Sequence, residues 1–435
     1  MIPPFHFGFH VFLSILLIAQ IVFLFIRVVI DSCEQDTNFQ QQLLHHDHDK
    51  ARSNGVFQIR AERLPNGFNL SSIFQKSSFE RPIRYPSQSK DDNRSGVILS
   101  KQLYPRSFPR WNHHFPCFEP ESQWFQTSVQ RTPTREGFFF LKELKAGSST
   151  LSGVHLRISK NMAQRQTNYR ICKARFDHSP AVILQYGNRR RSKSFLWTVL
   201  REPTKRAISQ FFHFQVSREK VEPSDTNFQE YLAASLFDNY YLQSMSMEYL
   251  FRKDYDIEEV VAKILRDYDF IGILERMDES LVVLSLILNV PITDVLYLKA
   301  KGSGGFDDGR YNRKCTYIIP PYVSPSMHNY FLSHAWKDRI FGDDYLYELV
   351  NKSLDLTIDE LGKDLVMQRL KEYRQLQTNA EDVCADEALF PCNSGGQANP
   401  KAPGCLWKDS GCGHDCLNNI ADKWNDLKSN QKESR

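Results

Sequence analysis

Apolar and polar residues alternate in blocks through the middle of the chain, and the blocks have the lengths of strands and helices. Short continuous apolar runs lie at 137–141 and 195–200, and each ends in a polar turn. Runs of this length are typical of strands that are buried on both faces. Apolar residues three and four apart follow at 151–162 and 207–212, which predicts a helix after each strand. The alternation predicts an α/β fold with a mainly parallel sheet.

Weaker patterns add further elements to this core. The segments 181–185 and 270–274 are strand candidates, and 228–237 and 257–265 have helical spacing. The segment 299–310, KAKGSGGFDDGR, predicts a glycine-rich basic loop that is either simply exposed or able to close over a ligand.

The turn after the first strand has the composition of an anion site. It brings an ammonium, a glycine and hydroxyl groups to the start of a helix, in the residues Lys145, Ala146, Gly147, Ser148, Ser149 and Thr150. Backbone N–H groups at a helix N-terminus bind phosphate or sulfate. We expect Ser149 or Thr150 to cap the helix. The turn is not a GxxxxGK[ST] phosphate loop, which disfavours an ordinary kinase or ATPase.

The turn after the second strand offers a second set of anion ligands. Arg201 ends the strand, Pro203 suits the first position of a helix, and Ser209 lies within that helix. A guanidinium and a hydroxyl can bind one phosphate together. We therefore expect a ligand with two separate anionic groups, although a capped turn and a solvated arginine explain either segment taken singly.

The two turns together resemble the paired nucleotide motifs of PAPS-dependent Golgi carbohydrate sulfotransferases, and most closely those of the galactose-3-O-sulfotransferase family. The segment 140–150 fits the pattern FLKxxKxGSST, and Arg201 with Ser209 fits R[DE]P followed by a serine eight residues after the arginine. Weaker likeness continues at 268–299 and 344–361, so that the resemblance covers roughly 136–362. It implies a three-layer α/β/α, P-loop-like sulfotransferase fold.

The resemblance also implies residue roles. Lys145 would stabilise charge on the bridging oxygen as sulfate departs, and the loop 145–150 would bind the 5′-phosphosulfate of PAPS. Arg201 and Ser209 would bind the 3′-phosphate. The implied reaction moves a sulfuryl group from PAPS to a glycan hydroxyl, with PAPS as co-substrate and no metal.

A base is needed to take the proton of the acceptor hydroxyl. His178 lies between the two motifs, at the place that a histidine occupies in related uronosyl 2-O-sulfotransferases. Imidazole suits the role because its unperturbed pKa is near 6.5. The alternative for His178 is an ordinary loop residue. His155 is a rival base, but its place on the apolar stripe predicts a core histidine.

Charge is concentrated around the two turns. The segment 142–206 contains 15 Lys/Arg and 3 Asp/Glu, whereas the whole chain has a formal net charge of only +4. This distribution suits a doubly anionic nucleotide. The arginine run 189–191 within it either binds an acidic ligand or belongs to a solvated loop. We do not expect a nucleic-acid partner, because the features that follow indicate a secretory compartment.

The N-terminal region indicates a membrane anchor. Residues 11–30 are almost wholly apolar, and about 20 such residues span a bilayer. Sequons at Asn69, Asn93 and Asn351 and five cysteines within the last 52 residues favour an oxidising lumen. We predict a single-pass type II protein of the Golgi membrane with its catalytic domain in the lumen.

These observations divide the chain into segments with different roles. We predict a cytoplasmic tail at 1–10, a signal anchor at 11–30, an irregular stem at 31–130, a sulfotransferase domain at 131–378 and a cysteine-rich tail at 379–435. Disulfides are the favoured use of the tail cysteines, although Cys412, His414 and Cys416 have some zinc-like spacing. Cys33 is a candidate for linking two chains in a homodimer.

Two other function classes share the anchor and the cysteines. A Golgi glycosyltransferase that uses a nucleotide sugar would need an acidic pair for its metal, and the motifs at 254–256 and 267–269 match DxD literally but lack the expected setting. A non-catalytic glycan-binding membrane protein is the other alternative, which the intact Lys145, Arg201 and Ser209 disfavour.

Overall fold

The computed structural model of the chain describes a region that contains both helices and strands. The described residues are 105–113, 117–118, 135–165, 171–172, 174–248, 250, 255–309, 314–388, 390–402, 405–406 and 408–433. The strands are β1 (Cys117–Phe118), β2 (Gly137–Leu141), β3 (Ile171–Cys172), β4 (Ala174–Asp177), β5 (Ser194–Leu200), β6 (Phe270–Ile273), β7 (Phe306–Gly309) and β8 (Lys314–Tyr317).

The described region also contains α-helices, which follow β2, β5, β6 and β8. They are α1 (Ser148–Arg165), α2 (Pro203–Phe211), α3 (Asp225–Leu232), α4 (Tyr240–Met245), α5 (Ile257–Asp267), α6 (Met277–Leu288), α7 (Pro325–Leu332), α8 (His334–Lys337), α9 (Phe341–Leu361), α10 (Lys363–Glu387) and α11 (His414–Glu433). A π-helical segment, Phe212–Arg218, continues directly from α2.

A four-stranded parallel sheet forms the centre, in the order β4–β2–β5–β6. All residues of β2, β5 and β6 are buried, which is why their sequences are continuous apolar runs. The sheet confirms the predicted α/β class and parallel pairing. Because parallel strands end at the same edge, the turns after β4, β2, β5 and β6 lie side by side, and ligands bind at such an edge in α/β sheets.

The strand predicted at 181–185 is wrong. This segment forms successive turns after Pro180, whose carbonyl accepts hydrogen bonds from the N–H groups of Ile183 at 3.0 Å and Leu184 at 3.1 Å. The strand beside β2 is instead β4, which lies before Pro180 and has only half-buried residues. A short apolar run by itself does not separate a buried turn from a buried strand.

The cysteine-rich tail packs on the rest of this region. It belongs to the same compact unit, Ile98–Arg435, and α11 contacts α10. Three disulfides occur among the described residues, joining Cys315 to Cys392, Cys384 to Cys416 and Cys405 to Cys412. The predicted use of these cysteines in disulfides is confirmed, and the zinc alternative is excluded because Cys412 and Cys416 belong to two different disulfides.

Several predictions concern residues outside the described ranges. They are the membrane anchor at 11–30, nearly all of the stem, Cys33 and the sequons at Asn69 and Asn93. Within the described ranges no helix has the length and apolarity that a membrane span requires. The third sequon lies in α9, where the Asn351 side chain accepts a hydrogen bond from Arg276 at 2.8 Å.

Candidate active site

The turn between β2 and α1 has an unusual backbone. Lys145 has φ 61° and Gly147 has φ 73°, both in the left-handed region. The first main-chain hydrogen bond of α1 runs from Leu151 N–H to the Gly147 carbonyl, at 3.1 Å. The N–H groups of 147–150 have no hydrogen-bond partner among the described residues. The turn therefore presents a set of donors at a helix N-terminus, the arrangement that binds phosphate and sulfate.

Gly147 is required at its position for two reasons. Its φ is one that side chains disfavour, and a Cβ there would lie 2.7 Å from Leu274 Cδ1. Leu274 directly follows β6, so the close contact sets the distance between the turn and the end of that strand. A larger residue would be strained at this φ and would push the Leu274 side chain aside.

The Lys145 ammonium lies among other cations. No carboxylate of the described region is within ion-pair distance of it. Burial lowers the pKa of Lys145 to about 7; the charges of Lys301, Arg218 and Arg201 lower it too, and Asp307 opposes them. An anion placed here would restore the protonated form, so the local charge favours an anionic ligand.

Arg201 is placed at the same edge by a buried tyrosine. The hydroxyl of Tyr241, in α4, accepts a hydrogen bond from Arg201 N–H at 2.9 Å and donates one to the Arg201 carbonyl at 2.8 Å. Arg201 Nη1 then donates to the Lys145 carbonyl at 3.2 Å. The two turns predicted to bind one ligand are therefore in direct contact.

The helix after the second turn is capped differently from α1. The Glu202 carboxylate accepts hydrogen bonds from Thr204 N–H at 3.2 Å and Lys205 N–H at 2.7 Å, so its first donors are occupied. A phosphate here would depend on the Arg201 side chain. Ser209 lies about 9 Å along α2 from its first residue, Pro203. Its side chain is half-buried and makes no hydrogen bond with Arg201.

The hydroxyls of the first turn do not cap α1 as expected. The Thr150 hydroxyl accepts a hydrogen bond from Ala300 N–H at 3.1 Å, and so ties the loop 299–305 to the helix. Ser148 is buried and Ser149 half-buried, and no side-chain hydrogen bond of either occupies the N-terminus. Ala146 is buried beneath the turn. The helix end thus stays open to a ligand.

His178 stands at the end of β4, one strand away from Lys145. Its Nδ1 donates to the Lys142 carbonyl at 2.8 Å, which leaves the lone pair on Nε2. Burial lowers the pKa of His178 to about 3; the Lys142 charge lowers it further, and Asp409 and Asp177 oppose this. The ring is therefore neutral and carries its free lone pair on Nε2, and its burial makes it a weaker base than a solvated imidazole. His155, by contrast, is fully buried and accepts from Trp197 Nε1 at 3.1 Å, which confirms it as a core residue.

Glu143 is a residue at this edge that sequence reasoning missed. It is fully buried, its Oε1 accepts from the Ser244 hydroxyl at 3.0 Å, and the Tyr240 hydroxyl is a further neighbour of the carboxyl group. Burial raises the pKa of Glu143 to about 8. A neutral carboxylic acid does not repel an anion bound at the neighbouring turn. Its position between two lysines was the available signal.

A second cluster that sequence reasoning missed lies near Lys145. It joins the π-helical segment to β7: Arg218 donates to Asp307 Oδ2 at 2.5 Å, and His213 Nε2 is 3.9 Å from the same oxygen. Burial lowers the pKa of His213 to about 2, and the Lys145 charge adds to this. Since π-helical segments are frequent at functional sites, the segment itself is consistent with a ligand nearby.

The arginine run and the DxD motif belong to the opposite edge of the sheet. Arg189 pairs with Asp269 at 3.1 Å and Arg191 with Asp267 at 2.5 Å, directly before β5 and β6. The hypothesis that the run 189–191 grips a ligand of this site is therefore wrong, because parallel strands separate their two ends. The same pairs occupy the carboxylates of the 267–269 motif; Asp254 of the other motif is outside the described residues.

Among the described residues there is no group of three or more histidine, cysteine, aspartate or glutamate side chains that would hold a metal ion. What the edge does bring together is Lys145, Arg201, the open N-terminus of α1 and, one strand away, His178. No protein-family model matches the chain, and a search of curated proteins finds no relative of it.

Proposed function

We propose that the chain is a PAPS-dependent carbohydrate O-sulfotransferase with a P-loop-like sulfotransferase fold. The observation that carries the proposal is the contact between the two anion turns, in which Arg201 donates to the Lys145 carbonyl beside the open helix N-terminus. One nucleotide with anionic groups at both ends would engage both turns at once. The resemblance of the same two segments to sulfotransferase motifs supports PAPS as that nucleotide.

The residues suit an in-line transfer. The 5′-phosphosulfate would accept hydrogen bonds from the N–H groups of 147–150, and the 3′-phosphate would lie against Arg201 and Ser209. His178 Nε2 takes the proton of the acceptor hydroxyl while the acceptor oxygen forms a bond to sulfur. The bond from sulfur to the bridging oxygen breaks, and the leaving phosphate keeps the electron pair next to the Lys145 ammonium.

The proposal includes a glycan acceptor, on glycoprotein, glycolipid or polysaccharide, and a place in the Golgi membrane with the described region in the lumen. The disulfides support an oxidising compartment. A homodimer linked near the anchor is part of the same proposal.

The test is transfer by the full-length protein in detergent. Radiolabelled PAPS is offered with a panel of neutral and acidic glycans, followed by linkage analysis of the labelled product, and a parallel reaction contains manganese and a mixture of nucleotide sugars. We expect sulfate transfer. Transfer of a sugar would instead establish a glycosyltransferase. Binding of a glycan without transfer of either sulfate or sugar would establish a non-catalytic binding protein.

His178→Ala tests the base within this reaction. We expect turnover to fall roughly 10²–10⁴-fold, which is the range for loss of a general base. Binding of PAP (the desulfated product) should persist, because His178 does not contact either anion turn through its side chain. Equal turnover in wild type and His178→Ala would remove His178 from the mechanism.

A further inference from the structure

A small loop of the C-terminal tail is closed by the disulfide between Cys405 and Cys412. Inside the loop, Asp409 N–H donates to the Leu406 carbonyl at 3.2 Å and Ser410 N–H to the Cys405 carbonyl at 3.0 Å. Asp409 itself has φ 49°, in the left-handed region. The loop is thus ordered by its own bonds and presents one carboxylate.

That carboxylate reaches the edge of the sheet where the candidate active site lies. Asp409 Oδ2 is 2.5 Å from Lys142 Nζ, and Oδ1 is 3.1 Å from Lys301 Nζ. The Lys142 side chain is 3% exposed, so this is a buried pair rather than a surface one. Burial raises the pKa of Asp409, but the charges of Lys142 and Lys301 outweigh it and hold that pKa well below its usual range.

Lys142 connects the tail to the proposed base. Its main-chain carbonyl accepts the Nδ1–H of His178 at 2.8 Å, and its N–H donates to the Asp177 carbonyl at 2.8 Å. The side chain of Lys142 is held by Asp409 and its main chain by the end of β4. Movement of Lys142 would therefore alter the orientation of the His178 ring.

The loop has no freedom to move independently of the helix that begins at the anion turn. A Cβ on Gly153 of α1 would lie 2.7 Å from Gly411 Cα, so that the two backbones are in contact. Arg157, also in α1 and buried, donates to the Leu417 carbonyl at 3.2 Å and to Asn418 Oδ1 at 2.9 Å. Tail and α1 form one packed element.

We propose that Asp409 is a positioning residue of the transfer site, and that the disulfide-closed tail loop completes this site by holding Lys142 and Lys301. The proposal rests on the proposed sulfotransferase function and adds a part of the chain that lies outside the resemblance to sulfotransferases. Asp409 does not touch donor or acceptor in it. Asp409 acts through Lys142, which sets the orientation of His178, and through Lys301 on the loop that Thr150 ties to α1.

The charges around His178 agree with such a role. Its neighbours are the ammonium of Lys142 and the carboxylates of Asp177 and Asp409, with Lys301 on the far side of Asp409. Burial lowers the pKa of Lys142, and Asp409 opposes this. Without Asp409 the buried Lys142 side chain loses the carboxylate that favours its charged form, so its place beside His178 is no longer fixed.

The experiment compares Asp409→Asn with Asp426→Asn in the full-length protein. Both variants remove one carboxylate from the tail, but Asp426 is exposed in α11 and forms no ion pair with Lys142 or Lys301. Active sites are counted by titration with PAP, so that turnover is expressed per folded site. Asp409→Glu, which keeps the charge, is measured alongside.

We expect Asp409→Asn to lower kcat roughly tenfold or more, the scale of losing a group that orients a reactive ligand. The KM for PAPS should stay within about twofold of wild type, because no anion ligand has been removed. Asp409→Glu should recover part of kcat, and Asp426→Asn should match wild type. A kcat per site for Asp409→Asn equal to that of wild type would overturn the proposal.

Lysine labelling makes the test independent of the proposed reaction. Reductive methylation followed by mass spectrometry should modify Lys142 slowly in wild type and in Asp426→Asn, and faster in Asp409→Asn, because loss of the carboxylate lowers the pKa of Lys142 further and leaves more of the reactive neutral amine. An unchanged rate of Lys142 methylation would refute the role of Asp409 in holding Lys142, even if the wild type transferred no sulfate. Absence of transfer in the wild type would count against the function alone.

Discussion

Both edges of the central sheet are rich in arginine and lysine, and both contain ion pairs, but the Lys145 ammonium at the carboxyl edge stands apart from them. At the amino edge Arg189 and Arg191 are matched by Asp269 and Asp267. At the carboxyl edge the Lys145 ammonium has no ion pair in the described region, and its pKa is lowered by burial and by other cations. Density of positive charge is therefore a poor guide to an anion site, whereas cations lacking carboxylate partners beside open N–H groups are a good one.

The largest expected difference between the edges concerns Lys145. Lys145→Ala removes the charge next to the bridging oxygen, and we expect kcat for sulfate transfer to fall roughly 10²–10³-fold. The thermal midpoint should not fall, because burying the ammonium is unfavourable in the empty protein. Turnover and unfolding are measured on the same preparation. A kcat near that of wild type would remove the distinction between the edges.

A substitution at the amino edge should lower the stability of the protein and leave donor binding unchanged. Arg189→Ala leaves Asp269, which Arg189 pairs with at 3.1 Å, without its cation. We expect a loss of about 3 kcal/mol in the free energy of unfolding, as for other broken buried pairs. PAP binding by the folded fraction should be unchanged, and calorimetry measures both quantities. Weakened PAP binding without loss of stability would place a ligand at this edge after all.

Arg201 should affect donor binding more than turnover. Arg201→Ala removes charge-assisted hydrogen bonds to the 3′-phosphate, which we expect to raise the Kd for PAP roughly 10–100-fold. The matched control is Arg190→Ala, an exposed arginine whose pair with Glu136 should contribute less than about 1 kcal/mol. Equal Kd values for the two variants would contradict the assignment of the phosphate to the carboxyl edge.

The smallest effect is a dependence of donor affinity on pH. Because the pKa of Lys145 is lowered to about 7, much of this lysine is neutral above that pH in the empty site. Binding of an anion then requires uptake of a proton, so the Kd for PAP should rise by up to roughly tenfold between pH 7 and pH 8. Calorimetry in buffers of different ionisation enthalpy measures the uptake. Lys145→Ala should abolish it.

The strands and turns that carry the proposed site were predictable, because their signals are local. The runs at β2 and β5 are apolar throughout since both faces of these strands are buried, and the glycine, lysine and hydroxyl residues follow directly. The strand prediction at 181–185 is wrong because the apolar run 181–184 is equally compatible with the turns that Pro180 begins.

The remainder of the site depends on contacts between residues far apart in sequence. Asp409 meets Lys142 across 267 positions, and Asp307 meets Arg218 across 89. The periodicity of the local sequence does not indicate such pairs. Likewise, no sequence feature near Tyr241 indicates that its hydroxyl binds the backbone of Arg201. Arg189 pairs with a carboxylate and Arg201 is proposed to bind a ligand because they lie at the two ends of β5, which the local sequence does not indicate.

The left-handed backbone of Lys145 has a consequence for attempts to make this protein more robust. A residue with a Cβ in that conformation costs on the order of 1 kcal/mol, which glycine would not incur. A screen that rewards heat resistance alone would thus favour Lys145→Gly, and would enrich molecules that survive heating but have lost the ammonium. A screen of variants at this turn must therefore measure catalytic activity together with heat resistance.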